Sequence, residues 1–197
     1  ENESLGLVCS PVIGISPAGK LRDHWPADIQ MRTHEQIRRR LPKENCIAHP
    51  TVMVRAGLMR KYLYSPKQTG SEDWDLWLRM MRDGVRMQKT EQVLLHYRVH
   101  AGSSTIQSNF RKSPQLRTTA VKWRFFRSSV ANAKLNATVL TAVFSIPRDL
   151  FYYFRKEMVP QSARRVRWLF TVNPIRAAAD VRWLVQLKPS GHFLFFS

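Results

Sequence analysis

Apolar positions come in short runs at the start of the chain, Leu5 to Val8 and Val12 to Ile15, followed by Pro17-Ala18-Gly19-Lys20. This pattern predicts two short strands closing on a turn. A polar span follows, in which Thr33-His34-Glu35-Gln36 has the capping-box arrangement and predicts a short helix through about Leu41, ended by Pro42. β-branched residues around His49-Pro50 predict a strand over 47–54, with His49 near its opening. Trp74, Trp77, Leu78, Met81 and Val85 recur at the spacing of one helical face, predicting a helix from Ser71 to Met81 that Gly84 closes. Val93 to Val99 reads as a second apolar strand, leading into Ala101-Gly102-Ser103-Ser104. The front half is therefore α/β.

Beyond Pro114 the period becomes helical, interrupted at Pro147 and Pro160, with an N-cap and first-turn proline at Asn173-Pro174. Ala163-Arg164-Arg165-Val166-Arg167-Trp168-Leu169 recurs as Ala178-Ala179-Asp180-Val181-Arg182-Trp183-Leu184, identical at five of seven positions, which predicts two similar Arg-Trp helices. The most apolar stretch, Leu135 to Ile146, is well short of the roughly 20 residues that span a bilayer. No transmembrane helix is predicted.

Charge divides the chain. Residues 1–100 hold 16 basic and 11 acidic side chains, whereas residues 101–197 hold 16 basic and 3 acidic, out of a total net charge of +18. Such an excess attracts a polyanion. With 197 residues and ordinary apolar content the chain can bury a core, which excludes wholesale disorder. Two cysteines, Cys9 and Cys46, match neither a disulfide framework nor a zinc pattern, so cysteine chemistry is not expected. The opening Glu1-Asn2-Glu3-Ser4 has no signal-peptide character.

Glu72, Asp73 and Asp75 fall in the first turn of the predicted Trp-rich helix, where acidic residues are ordinary dipole partners. One of them could equally act as a general base, with Trp74 shaping a substrate surface and like charge raising its pKa. Asp73-Trp74-Asp75 also spells D-x-D, but polar residues precede it and a helix follows, unlike the strand-end motif that binds a nucleotide diphosphate. His96 and His100 lie on a predicted strand, where four residues cover roughly 13 Å, so at most one could serve a given metal. His100, at the strand end, is the better candidate, and His96 reads as a packed histidine. No nucleophile-elbow, dinucleotide or P-loop motif is present.

Three blocks in this order and spacing, 45–55 (NCIAHPTVMVR), 72–79 (EDWDLWLR) and 93–100 (VLLHYRVH) with its Gly-Ser loop, resemble the second half of family 2 glycosyltransferases over roughly residues 1–106. The resemblance implies a partial GT-A type α/β domain, followed by a basic helical extension over 107–197. It also implies sugar transfer from a nucleotide-sugar donor to an acceptor hydroxyl with inversion, as in surface-glycan biosynthesis. Asp73 maps to the base, supported by Glu72 and Asp75. His100 maps to a ligand of Mn²⁺ or Mg²⁺ at the leaving diphosphate. Substrate contacts are expected from His49, Trp74, Asp75, Arg98, Ser103 and Ser104, the last two in a mobile loop near the diphosphate.

Two departures accompany the resemblance. Arg60-Lys61-Tyr62-Leu63-Tyr64 replaces the glycines usual before the acidic helix, and the donor-binding first half with its D-x-D strand is absent, so the isolated polypeptide is expected to be inactive. In the tail, Arg164, Arg165, Arg167, Arg176 and Arg182 alternate with Trp168, Phe170 and Trp183, which suits the headgroup layer of an anionic membrane and a glycan or lipid-linked acceptor. The expected location is peripheral on the inner face of the cell membrane. A nucleic-acid binder is the rival class for such charge, but no such motif is present and no nucleic acid is expected.

Overall fold

A computed structural model describes residues 4–100, apart from Lys67 and Thr69, and residues 113–157. The chain divides into two compact units, residues 1–153 and 154–197. The Arg-Trp repeat, the Asn173-Pro174 start, Ser103 and Ser104 lie outside the described residues.

The α/β reading holds, with two mixed three-stranded sheets. In the first, β1 (Leu5–Cys9) pairs antiparallel with β4 (Met53–Val54) and parallel with β5 (Arg86–Lys89). In the second, β2 (Val12–Ile15) pairs antiparallel with β3 (Leu21–His24) and parallel with β6 (Leu95–Arg98). The turn after Ile15 therefore joins β2 to β3, a strand hidden by its polar sequence, and β1 and β2 belong to different sheets. Gly6 lies where the β1–β5 register shifts, and a Cβ there would sit 2.6 Å from Val85 Cγ1 and 2.7 Å from Leu58 Cδ1. That close approach requires glycine.

Helices α1 (Pro26–Gln30), α2 (His34–Arg40), α3 (Ala56–Lys61) and α4 (Glu72–Arg82) separate the strands, and α5 (Pro114–Ala131), α6 (Ala137–Phe144) and α7 (Ile146–Glu157) follow. The expected capping box opens α2, where Thr33 Oγ1 accepts from Gln36 N–H and the Gln36 side chain accepts from Thr33 N–H. Residues 47–54 do not form the expected strand. His49 begins a single 3₁₀ turn to Thr51, whose hydroxyl donates to Ala48 O and Ser10 O, leaving only two residues to pair as β4. The strand β5 escapes sequence pattern because its inward positions are Met87 and a lysine, Lys89. On β6 the inner positions are Leu95 and Tyr97, so His96 is exposed rather than packed.

Helix α4 is more central than one apolar stripe suggests. Leu76 and Met80 are buried in addition to Trp74, Trp77, Leu78 and Met81, because α5 and α6 pack on it. Val121, Phe125, Val139 and Ala142 join Leu7, Ile37, Ile47 and Met87 in the same core. Two buried ion pairs cross-link the layers. Lys122 meets Asp149 between α5 and α7, and Lys89 meets Asp28 between β5 and α1, where neither side chain is exposed. Among the described residues, no helix is long and apolar enough to cross a membrane.

Removing one member of a buried pair leaves an uncompensated charge. Lys89→Met is expected to lower the free energy of unfolding by about 3–5 kcal/mol. Adding Asp28→Asn should recover part of that loss in urea unfolding followed by tryptophan fluorescence.

Candidate active site

The head of α4 is built on strained backbone. Gly70 has φ +67° and Ser71, the residue before the helix, has φ +89°, a left-handed conformation that costs a side-chain-bearing residue about 1–2 kcal/mol. Ser71 makes no side-chain cap to offset it. The turn is braced from α5: Arg124 Nη1 donates to Oε1 of the buried Gln68 at 2.8 Å, and Gln68 Nε2 donates to Gly70 O at 3.5 Å.

Three carboxylates leave this helix start in different directions, because successive residues rotate by about 100°. Glu72 is exposed and lines a cleft of about 280 Å³ with Tyr64, Ser65, Pro66, Gln68 and Gly70. Asp73 is partly buried. Asp75 is 6% exposed and accepts from Arg79 Nε at 2.9 Å, while Arg79 Nη2 donates to Leu63 O at 2.8 Å. Asp75 thus ties α4 to the segment that carries Tyr64.

Asp73 is the electrostatically unusual member. Burial pushes its pKa above the ordinary 3.8, opposed by a hydrogen bond from the Trp74 N–H, the nearby His49 and the Asn45 amide. Glu72 adds only a smaller upward push, so desolvation rather than like charge is the main cause. Asn45 Nδ2 donates to Asp73 Oδ2 at 3.0 Å, and Asn45 Oδ1 accepts from the Ile47 N–H at 3.1 Å, which fixes the amide's orientation.

His49 reaches the same place from the 3₁₀ turn. Its Nε2 lies 2.8 Å from Tyr64 Oη, and its ring centroid is 6.2 Å from that of buried Trp77. Tyr64 feels both Asp73 and Glu72: burial, then these two carboxylates, raise its pKa. Trp77 Nε1 is buried with no hydrogen-bond partner among the described residues. Asn45, Tyr64 and Gln68 were not singled out as site residues from sequence. Tyr64 fell within the segment that replaces the usual glycines, and its position opposite His49 depends on the fold.

The remaining expected residues are placed elsewhere. Trp74 is 3% exposed and donates its indole N–H to Leu41 O at 2.8 Å, so its ring belongs to the core. Arg98 Nη1 donates to Ser16 O and Pro17 O, holding the β2–β3 turn. His100 follows β6, on the sheet that does not include β1. No three His, Cys, Asp or Glu side chains converge as a metal site among the described residues. Cys9 and Cys46 are buried thiols pushed up to about 12, far from reactive thiolates.

A carboxyl whose folded pKa is raised contributes stability below its unfolded pKa, and that contribution is lost as pH rises through the folded value. Asp73→Asn is accordingly expected to be more stable than the parent at pH 7. The gap should close below about pH 3.8, as read by denaturant melts across pH.

No protein-family profile and no solved structure matches the chain. Two curated proteins do. Over 79 residues it is 34% identical to the O-antigen biosynthesis glycosyltransferase WbnJ of Escherichia coli, a match covering 39% of this chain and 31% of the relative. Over 99 residues it is 28% identical to the uncharacterized glycosyltransferase MJ1057 of Methanocaldococcus jannaschii, covering 50% of this chain and 33% of that protein. The matched stretches span about a third of each relative, and they relate this chain to glycosyltransferases.

Proposed function

We propose that this chain is the acceptor side of an inverting family 2 glycosyltransferase of GT-A type, with Asp73 as general base. The observation that carries the reading is the Asp73 carboxyl itself: partly buried, raised in pKa, oriented by Asn45 and set at the head of α4 beside Glu72 and its cleft. The match to an O-antigen biosynthesis glycosyltransferase supports a nucleotide-sugar donor and a glycan or lipid-linked acceptor.

In the proposed step an acceptor hydroxyl at the head of α4, next to the cleft that Glu72 lines, gives its proton to Asp73. Its oxygen bonds to the anomeric carbon on the face opposite the nucleotide. The bond from that carbon to the diphosphate oxygen breaks, the electron pair leaves with the diphosphate, and the configuration inverts. A raised carboxyl pKa suits a base that must hold the proton in the transition state. His49 and Tyr64 form the aromatic wall beside the base, and Glu72 contributes charge at the cleft rim. His100 is retained as a candidate metal ligand, and no step here depends on it. Donor-binding residues outside this chain complete the site on this reading.

Two outcomes test it in the full-length gene product. Asp73→Asn should lower transfer by roughly 10²–10⁴-fold with donor affinity nearly unchanged. Unaltered transfer would remove Asp73 as the base. Asn45→Ala deletes a hydrogen bond that favours the charged carboxylate, so the acid limb of the pH–rate profile should move to higher pH.

A further inference from the structure

Helix α7 has its polarity reversed. Its inward side carries Asp149, paired with the buried Lys122, while aromatic side chains face solvent. The outward stripe begins on α6, whose backbone runs into α7 through the right-handed helical Ser145. Leu140 and Phe144 on α6, and Pro147 and Phe151 on α7, are each four residues apart, which places each pair on one face of its own helix. All four are exposed, Phe144 at 77% and Phe151 at 62%. Tyr152 is 49% exposed with its ring edge-on to Phe151, and Arg148, four residues before it, keeps 41% of its side chain in solvent while its Nη2 donates to Lys43 O at 3.1 Å and lies 3.5 Å from Asp149 Oδ1.

We propose that this α6–α7 stripe is a docking surface for an anionic lipid bilayer, with Phe144 and Phe151 entering the headgroup–acyl boundary and Arg148 at phosphate level. Charge complementarity selects the occupant. Residues 113–157 carry eight Lys and Arg against Asp149 and Glu157, a net charge of +6, and Asp149 is paired with Lys122 and Arg148. A second copy would bring equal positive charge against this face. An anionic bilayer opposes the charge and takes up exposed rings without needing a shaped pocket. The stripe consists of residues other than the Arg-Trp repeat, and the inference does not depend on sugar transfer.

The test is co-sedimentation of the full chain with vesicles of phosphatidylcholine alone or mixed with phosphatidylglycerol. Wild-type protein should pellet with the mixed vesicles, less so as salt rises, and stay soluble with phosphatidylcholine alone. Phe144→Ser/Phe151→Ser should weaken partitioning by roughly tenfold or more with circular dichroism and melting unchanged, since both rings already lie in solvent. Phe144→Glu tests the same face at a single site, and Phe144→Tyr/Phe151→Tyr should retain most binding. Variants that pellet like the wild type overturn the proposal, as does wild-type protein that ignores anionic vesicles. It is equally overturned if the serine variant abolishes a dimer seen by sedimentation velocity, or salt-sensitive RNA binding, while leaving vesicle binding intact.

Discussion

The contact between Asp28 and Lys89 holds the two sheets in one frame. Lys89, on β5 of the first sheet, donates to the Asp28 carboxylate and to its backbone carbonyl. The other carboxylate oxygen accepts from the Val12 N–H, on β2 of the second sheet, at 2.8 Å. A single side chain on α1 thus satisfies groups from both sheets in a fully buried place. Desolvating two ions is costly, and such full hydrogen bonding is what lets the attraction offset that cost. The same surroundings keep Cys9 and Cys46 protonated, because burial penalises thiolate more than the nearby lysine favours it.

The head of α4 carries the proposed base. Gly70 and Ser71 turn the chain sharply into the helix, and the strain that Ser71 holds is opposed by the Arg124–Gln68 brace and the Asp75–Arg79 pair. Helices α5 and α6 therefore matter to the site although neither contributes to the cleft lining. They bury the far side of α4 and brace the turn that presents Asp73.

Much of the local structure was legible in the chain. The capping box at Thr33 and the apolar spacing of α4 reflect short-range rules that act within a few residues, and both held. The signal failed wherever tertiary partners changed the meaning of a residue. Lys89 looks like a surface residue until Asp28 faces it, which concealed β5. His49 and Pro50 read as extended until the Thr51 hydroxyl closes a turn over Ala48. Trp74 beside the acidic cluster suggested a substrate surface, but its indole is held by Leu41 in the core.

The sequence by itself determined an α/β front half, a strongly basic helical segment and three carboxylates at one helix start, because periodicity, charge and capping are properties of neighbours along the chain. Only the tertiary structure decided which carboxylate is exposed and which is desolvated, whereas the Asp75–Arg79 pair is an i, i+4 contact within α4. Tertiary structure also brought Asn45, His49 and Tyr64 to Asp73 and turned the rings of α6–α7 outward. Those outcomes depend on water exclusion and on pairings between residues far apart in sequence, which no local pattern encodes.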